Sequence, residues 1–223
     1  YHQEGPLSDD MAPHAEWTGW FAYDIVGKQM GNWNPSSEDN NDYWRVLPKK
    51  IRQAQVFIQN VKPIENQNLT LEEAERMKLE ARFLIAYYYA LLVEFYGAVP
   101  FTAEPIDLDA PYDVLMMQQV PVHQVIDWVD NELLEVSKGL PASYTNPTLY
   151  GRATSLMCLA VRSRLLLLSA SPLLNGNKDY MNHKNPNGEE LFYSEYDVNR
   201  WQRAANAAKE SVSYTHLTLP TNR

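Results

Sequence analysis

The sequence predicts an all-α protein in which paired helices stack as an α-solenoid, joined by long irregular loops. Three observations carry this expectation. Apolar residues recur at helical spacing in five separate stretches. Cap-forming residues, glycines or prolines bracket most of them. No stretch sustains the two-residue alternation of a half-buried strand, so little sheet is expected.

The first stretch follows Tyr43, where Trp44, Leu47, Ile51, Ala54, Ile58 and Val61 share one face. Pro48 falls inside it, so the helix either starts there or kinks there, and Pro63 closes it. The second is Leu71–Tyr96. Thr70 and Glu73 have the spacing of a capping box, and Gly97 and Pro100 form the stop. Its expected buried face is Met77, Ala81, Leu84, Ile85, Tyr88, Leu91, Leu92 and Phe95. The third begins at Pro121 and carries a stripe of Val122, Val125, Ile126, Val129, Leu133 and Val136, ended by Gly139 and Pro141. The fourth, 153–170, is apolar or small on nearly all sides, which predicts burial in a bundle. The fifth carries Trp201, Ala204, Ala205, Ala208 and Val212.

Two helical pairs follow, 43–96 and 121–171, and the fifth helix opens a third. The pairs exceed the roughly 34 residues of a tetratricopeptide unit, and the long loops account for the excess. Residues 1–42 read as a Trp/Asn-rich loop region with a short helix near 16–26. Residues 213–223 read as a non-native or disordered tail, because their Thr and Pro content is expected to stop the fifth helix.

Composition narrows the function. A hydrophobic fraction of 45% with 21% charged residues supports a real core. The net charge of −9 and scattered Lys and Arg argue against nucleic acid and against an anionic membrane surface. The single cysteine, Cys158, allows no internal disulfide and sits in an apolar helical pattern as a small hydrophobe. The opening residues have neither the basic start nor the apolar run of a signal peptide.

The phosphate-loop, dinucleotide, nucleophile-elbow and zinc-protease patterns are all missing. No metal and no cofactor is expected. His123 reads as a solvated histidine, and Asp127 and Asp130 as a solvated helix face rather than an acid–base pair. Two oxygen-rich segments, Asp107-Leu108-Asp109 with Asp113 and 175–179, lack the twelfth-position Glu of a calcium loop.

The N-terminal aromatics carry more chemistry. A sugar ring offers a flat C–H face to an indole and hydroxyls to polar neighbours. Trp33 and Asn34 are adjacent, and Trp17, Trp20 and Tyr23 lie nearby. For any single ring, wedging a loop onto the helices is the stronger reading, while for the group at least one is expected to face a ligand; the candidate ligand-binding residues are Trp17, Trp20, Trp33 and Asn34.

Four segments meet a known pattern. Glu80-Ala81-Arg82-Phe83-Leu84-Ile85-Ala86, ending in Gly97-Ala98-Val99-Pro100, resembles the signature helix of the SusD/RagB family. Ile85 stands where the family usually has Arg, and Ala98 where Gly is common. Ile51-Arg52-Gln53-Ala54-Gln55, Gly151-Arg152-Ala153-Thr154 and Trp201-Gln202-Arg203-Ala204-Ala205 resemble further family segments in the same order.

The resemblance implies a tetratricopeptide-like scaffold over 43–212, and the aromatic chemistry of 1–42 makes that stretch the expected ligand-facing region. It implies an outward-facing lipoprotein of the outer membrane in Bacteroidota. Such a protein binds an oligosaccharide without catalysis and delivers it to a SusC-type TonB-dependent transporter. Attachment would be through a lipid on a cysteine that this sequence lacks, so the N-terminal lipidation region and the C-terminal part are both expected to be missing. The alternatives are a tetratricopeptide-type scaffold for a protein partner and an all-helical glycan-processing enzyme.

Overall fold

The computed structural model describes residue 31 and residues 43–64 and 69–218. The chain divides into two compact units, Tyr1–Val46 and Leu47–Arg223, and nearly all the described residues belong to the second. The short helix expected near 16–26 lies outside the described residues.

Six α-helices are seen among the described residues: α1 Tyr43–Asn60, α2 Leu71–Tyr96, α3 Tyr112–Leu115, α4 Val122–Gly139, α5 Ser155–Ala170 and α6 Asn199–Thr218. Two short 3-10 helices and isolated β-bridges complete the regular structure. The fold is all-α, as the periodicity predicts. The side-by-side order is α2 against α4, α4 against α5 and α5 against α6, with α2 also touching α5. The expected pairing of α1 with α2 is not among these contacts. Instead α1 reaches the scaffold through the loop after α2: Gln55 Nε2 donates to the Thr102 carbonyl at 2.9 Å, and Arg52 donates to the Ile106 carbonyl. That helix begins at Tyr43, and Pro48 lies within it.

Helix α4 follows its sequence pattern most closely. All six stripe residues are buried, five of them with essentially no exposed surface. Burial of each contributes about 2 kcal/mol relative to an exposed side chain. Helix α2 departs from expectation. Ala81, Ile85 and Leu92 are buried as predicted, but Phe83, Ala86, Tyr89 and Val93 join them, whereas Leu84 and Phe95 are exposed. The cause is contact with both α4 and α5, which widens and rotates the buried surface away from a single stripe. The Thr70 hydroxyl accepts from the Glu73 amide at 3.1 Å, but the Glu73 carboxylate turns to Arg76 and Arg152 rather than back to the cap, so the box is half made.

Helix α5 starts one residue after Thr154, whose hydroxyl caps the Met157 amide at 3.2 Å. Cys158 is fully buried, and burial pushes its thiol up to about 12, well away from a reactive thiolate. Helix α6 buries Ala204 and Ala207 and continues to Thr218, past the stop expected at Ser213. The helical hydrogen bonds there outweigh the modest intrinsic cost of Ser and Thr in a helix.

Ion pairs clamp these helices. Arg82 forms a two-pronged bond with Glu132, at 2.6 and 2.9 Å, linking α2 to α4. Arg152 grips Glu80 at 2.7 and 2.8 Å and also reaches Glu73, tying α2 to the segment before α5. The Tyr144 hydroxyl joins Glu80 at 3.1 Å. Planar guanidinium–carboxylate pairs of this kind fix orientation as well as charge.

Candidate functional site

The four residues expected to bind ligand, Trp17, Trp20, Trp33 and Asn34, lie outside the described residues. Among the described ones, an open groove of roughly 890 Å³ lies along the strap 101–120 that joins α2 to α4.

The strap is pinned at both ends. Gly97 turns the chain at φ 70°, in the left-handed region that a glycine enters without steric cost. A Cβ at that position would also stand 2.8 Å from the Phe192 ring, which would have to shift to admit it. The Val120 amide then donates to the Val99 carbonyl at 2.9 Å, and the Gln119 side chain donates to the Ala98 carbonyl at 2.8 Å. Deeper in, the Tyr89 hydroxyl donates to the Thr102 carbonyl and accepts from the Thr102 amide, both at 3.0 Å. Burial holds that phenol above its ordinary range, so it stays a neutral two-way partner. The Tyr89 ring also packs against Phe101 and Trp128.

The groove is lined by Arg52, Thr102, Glu104, Asp107, Asp109, Val114 and the prolines and aliphatics between them. Its carboxylates and carbonyls accept hydrogen bonds from hydroxyls, and the Arg52 guanidinium donates. Among the described residues no aromatic ring lines it, so these residues supply the polar half of a sugar site and not the stacking half. Sequence patterning did not single out Arg52, Thr102 or Glu104. The available signal was compositional: 101–120 holds four carboxylates and no Lys, Arg or His.

Other sequence candidates resolve into structure. Asp130 is not on a solvated face. It is buried and accepts from Arg162 on α5 and from Arg203 on α6, while Arg203 also reaches Asp127 at 2.5 Å. The approach of two neighbouring helices covers a position that looks polar along α4 alone. His123 is half-buried rather than solvated, with its ring 4.6 Å from that of Tyr193. Burial lowers its pKa, helped by Arg200 and opposed by Asp127 and Glu189. The Arg200 guanidinium lies over the Tyr193 ring, 3.1 Å from its centre.

The segment 175–179 is also committed to the fold. The Asn175 side chain donates to the Asp197 carbonyl and accepts from the Asp197 amide, each at 2.9 Å, so its amide is spent on joining two loops. Asn177 caps a 3-10 turn. Among the described residues, no three His, Cys, Asp or Glu side chains come together to hold a metal. No helix of the described residues is long and apolar enough to cross a membrane.

Comparison with known proteins places this geometry. The profile of the SusD-like_3 family, described as starch-binding associating with outer membrane, matches residues 4–167. Among solved structures, BT4246 is similar at 30% identity and a TM-score of 0.77, over 90% of this chain and 34% of its own. A SusD-like carbohydrate-binding protein, BF0978 from Bacteroides fragilis, matches at 21% identity and a TM-score of 0.53, over 77% of this chain and 26% of its own. A laminarin-binding SusD-like protein matches at 19% identity and 0.54, over 75% and 36%. Among curated proteins nothing matches. The chain spans about a third of the length of BT4246. With its family pattern matched over most of its length and its helices superposing on that fold, this chain belongs to the SusD-like family.

Proposed function

We propose that this chain captures an oligosaccharide at the outer face of the outer membrane and passes it to a SusC-type TonB-dependent transporter, without cleaving it. The observation that carries this reading is the family match across 4–167, which takes in both the helical scaffold and the Trp-rich region before it. The carbohydrate named for the laminarin-binding relative points to the same class of ligand. On this reading α2, α4 and α5 hold the scaffold rigid, and Trp17, Trp20 and Trp33 supply rings for the sugar faces while Asn34 bonds a hydroxyl. Residues 1–42 form the ligand-facing region.

Affinity electrophoresis through gels containing starch, laminarin and other soluble glycans tests the proposal. Retardation of the wild type by at least one glycan is expected. Trp33→Ala is expected to lose about 2 kcal/mol of binding, as a base-stacking or sugar-stacking ring does on truncation, with an unchanged helical circular dichroism spectrum. Equal mobility of wild type and variant across the panel would remove the glycan assignment. Release of shorter sugars from a retained glycan would remove the non-catalytic one.

A further inference from the structure

We infer that the strap 101–120 is a docking surface for a protein partner that presents Lys or Arg side chains around an apolar centre. The inference goes beyond glycan capture and rests on a different part of the molecule.

Its first support is exposed apolar surface on an ordered scaffold. Leu108 is 85% exposed, Tyr112 74%, Met116 59%, Leu115 49% and Val114 47%. Scattered exposed apolar residues are ordinary on any protein, but five within nine consecutive positions form a patch that water disfavours and a partner would cover. The strap is also pre-shaped. Tyr89, Gln55 and Arg52 hold it at Thr102 and Ile106, and the Val99–Val120 bridge holds its base. Binding there would lose little loop entropy.

Charge selects the occupant. Glu104, Asp107, Asp109 and Asp113 are exposed around the patch and form no ion pair among the described residues, in a segment without a single basic side chain. An anionic lipid surface would meet like charge. A second copy docked about a two-fold axis would set these four carboxylates against themselves, on a chain of net charge −9. Among the described residues the groove lining offers a sugar no ring, and on the strap Tyr112 is the one exposed ring, set among four carboxylates. A heterologous protein with a cationic rim complements the four carboxylates, and the one cation lining the groove among the described residues, Arg52, is engaged with the Ile106 carbonyl. The groove itself suits a long cationic side chain. Pro105, Pro111 and Val114 can cover its aliphatic stem, and Glu104, Asp107 and Asp109 can receive its charged head.

The test uses a fluorescent peptide of alternating Lys and Leu, and the matching Glu and Leu peptide, against this chain. The Lys peptide should bind, with amide-exchange protection centred on 104–116 and weakening at high salt. The double variant Asp107→Asn/Asp109→Asn should weaken it about tenfold, the scale of losing two charged contacts, and flatten the salt dependence. Leu108→Asp should weaken it independently, with unchanged circular dichroism. Equal binding of the two peptides, protection elsewhere on the chain, or indifference to both variants would overturn the inference. So would sedimentation as a dimer that Leu108→Asp dissociates, or co-pelleting with phosphatidylglycerol vesicles.

Discussion

Carboxylates on the helical scaffold and carboxylates on the strap between α2 and α4 are the same chemical group in opposite surroundings. Glu80 faces Arg152, Glu132 faces Arg82, and Asp130 faces both Arg162 and Arg203. Glu104, Asp107, Asp109 and Asp113 face solvent. The first set ties segments that are far apart in the chain. The second set leaves its charge available to whatever approaches. The family signature falls on the first set, through Glu80, Arg82 and Arg152, so its residues report the scaffold and not the ligand.

This contrast can be broken at three points, in descending order of effect. Asp130→Ala should cost about 2 kcal/mol in urea unfolding, because it removes the buried anion that Arg162 and Arg203 share and leaves them only their outer partners, Glu210 and Asp127. A loss below about 1 kcal/mol would mean that the α4–α5–α6 junction does not depend on this anion. Glu80→Ala should cost about 1.5 kcal/mol, less because the pair with Arg152 retains some solvent contact. A double-mutant cycle with Arg152→Ala isolates the direct coupling. The pair Asp107→Asn/Asp109→Asn should change stability by less than about 0.5 kcal/mol. A clear gain in stability there would show that the strap's charges repel one another, and would sharpen the contrast further.

The helices were legible because their apolar residues repeat. Helix α4 presents one buried face, and its stripe named every residue on that face that became buried core. Helix α2 touches two neighbours, so a single stripe misassigned Leu84 and Phe95. The Asp130 junction could not be read locally, since its partners lie 32 and 73 residues further along. The groove was equally hidden: Arg52 meets Ile106 across 54 residues, and the strap between has no period to detect. The stacking residues rest on the logic of side-chain chemistry and on family resemblance, and they fall on 1–42, outside the described residues.

The turn at Gly97 has a consequence for how freely this chain can vary. Two independent demands converge on one atom that is not there. Asn tolerates a left-handed backbone better than most residues, yet it would still bring a Cβ to within 2.8 Å of Phe192. Shrinking Phe192 would make room while leaving the backbone demand untouched. A change at Phe192, 95 residues later, therefore cannot by itself free position 97, and the stop of α2 stays tied to glycine through its backbone.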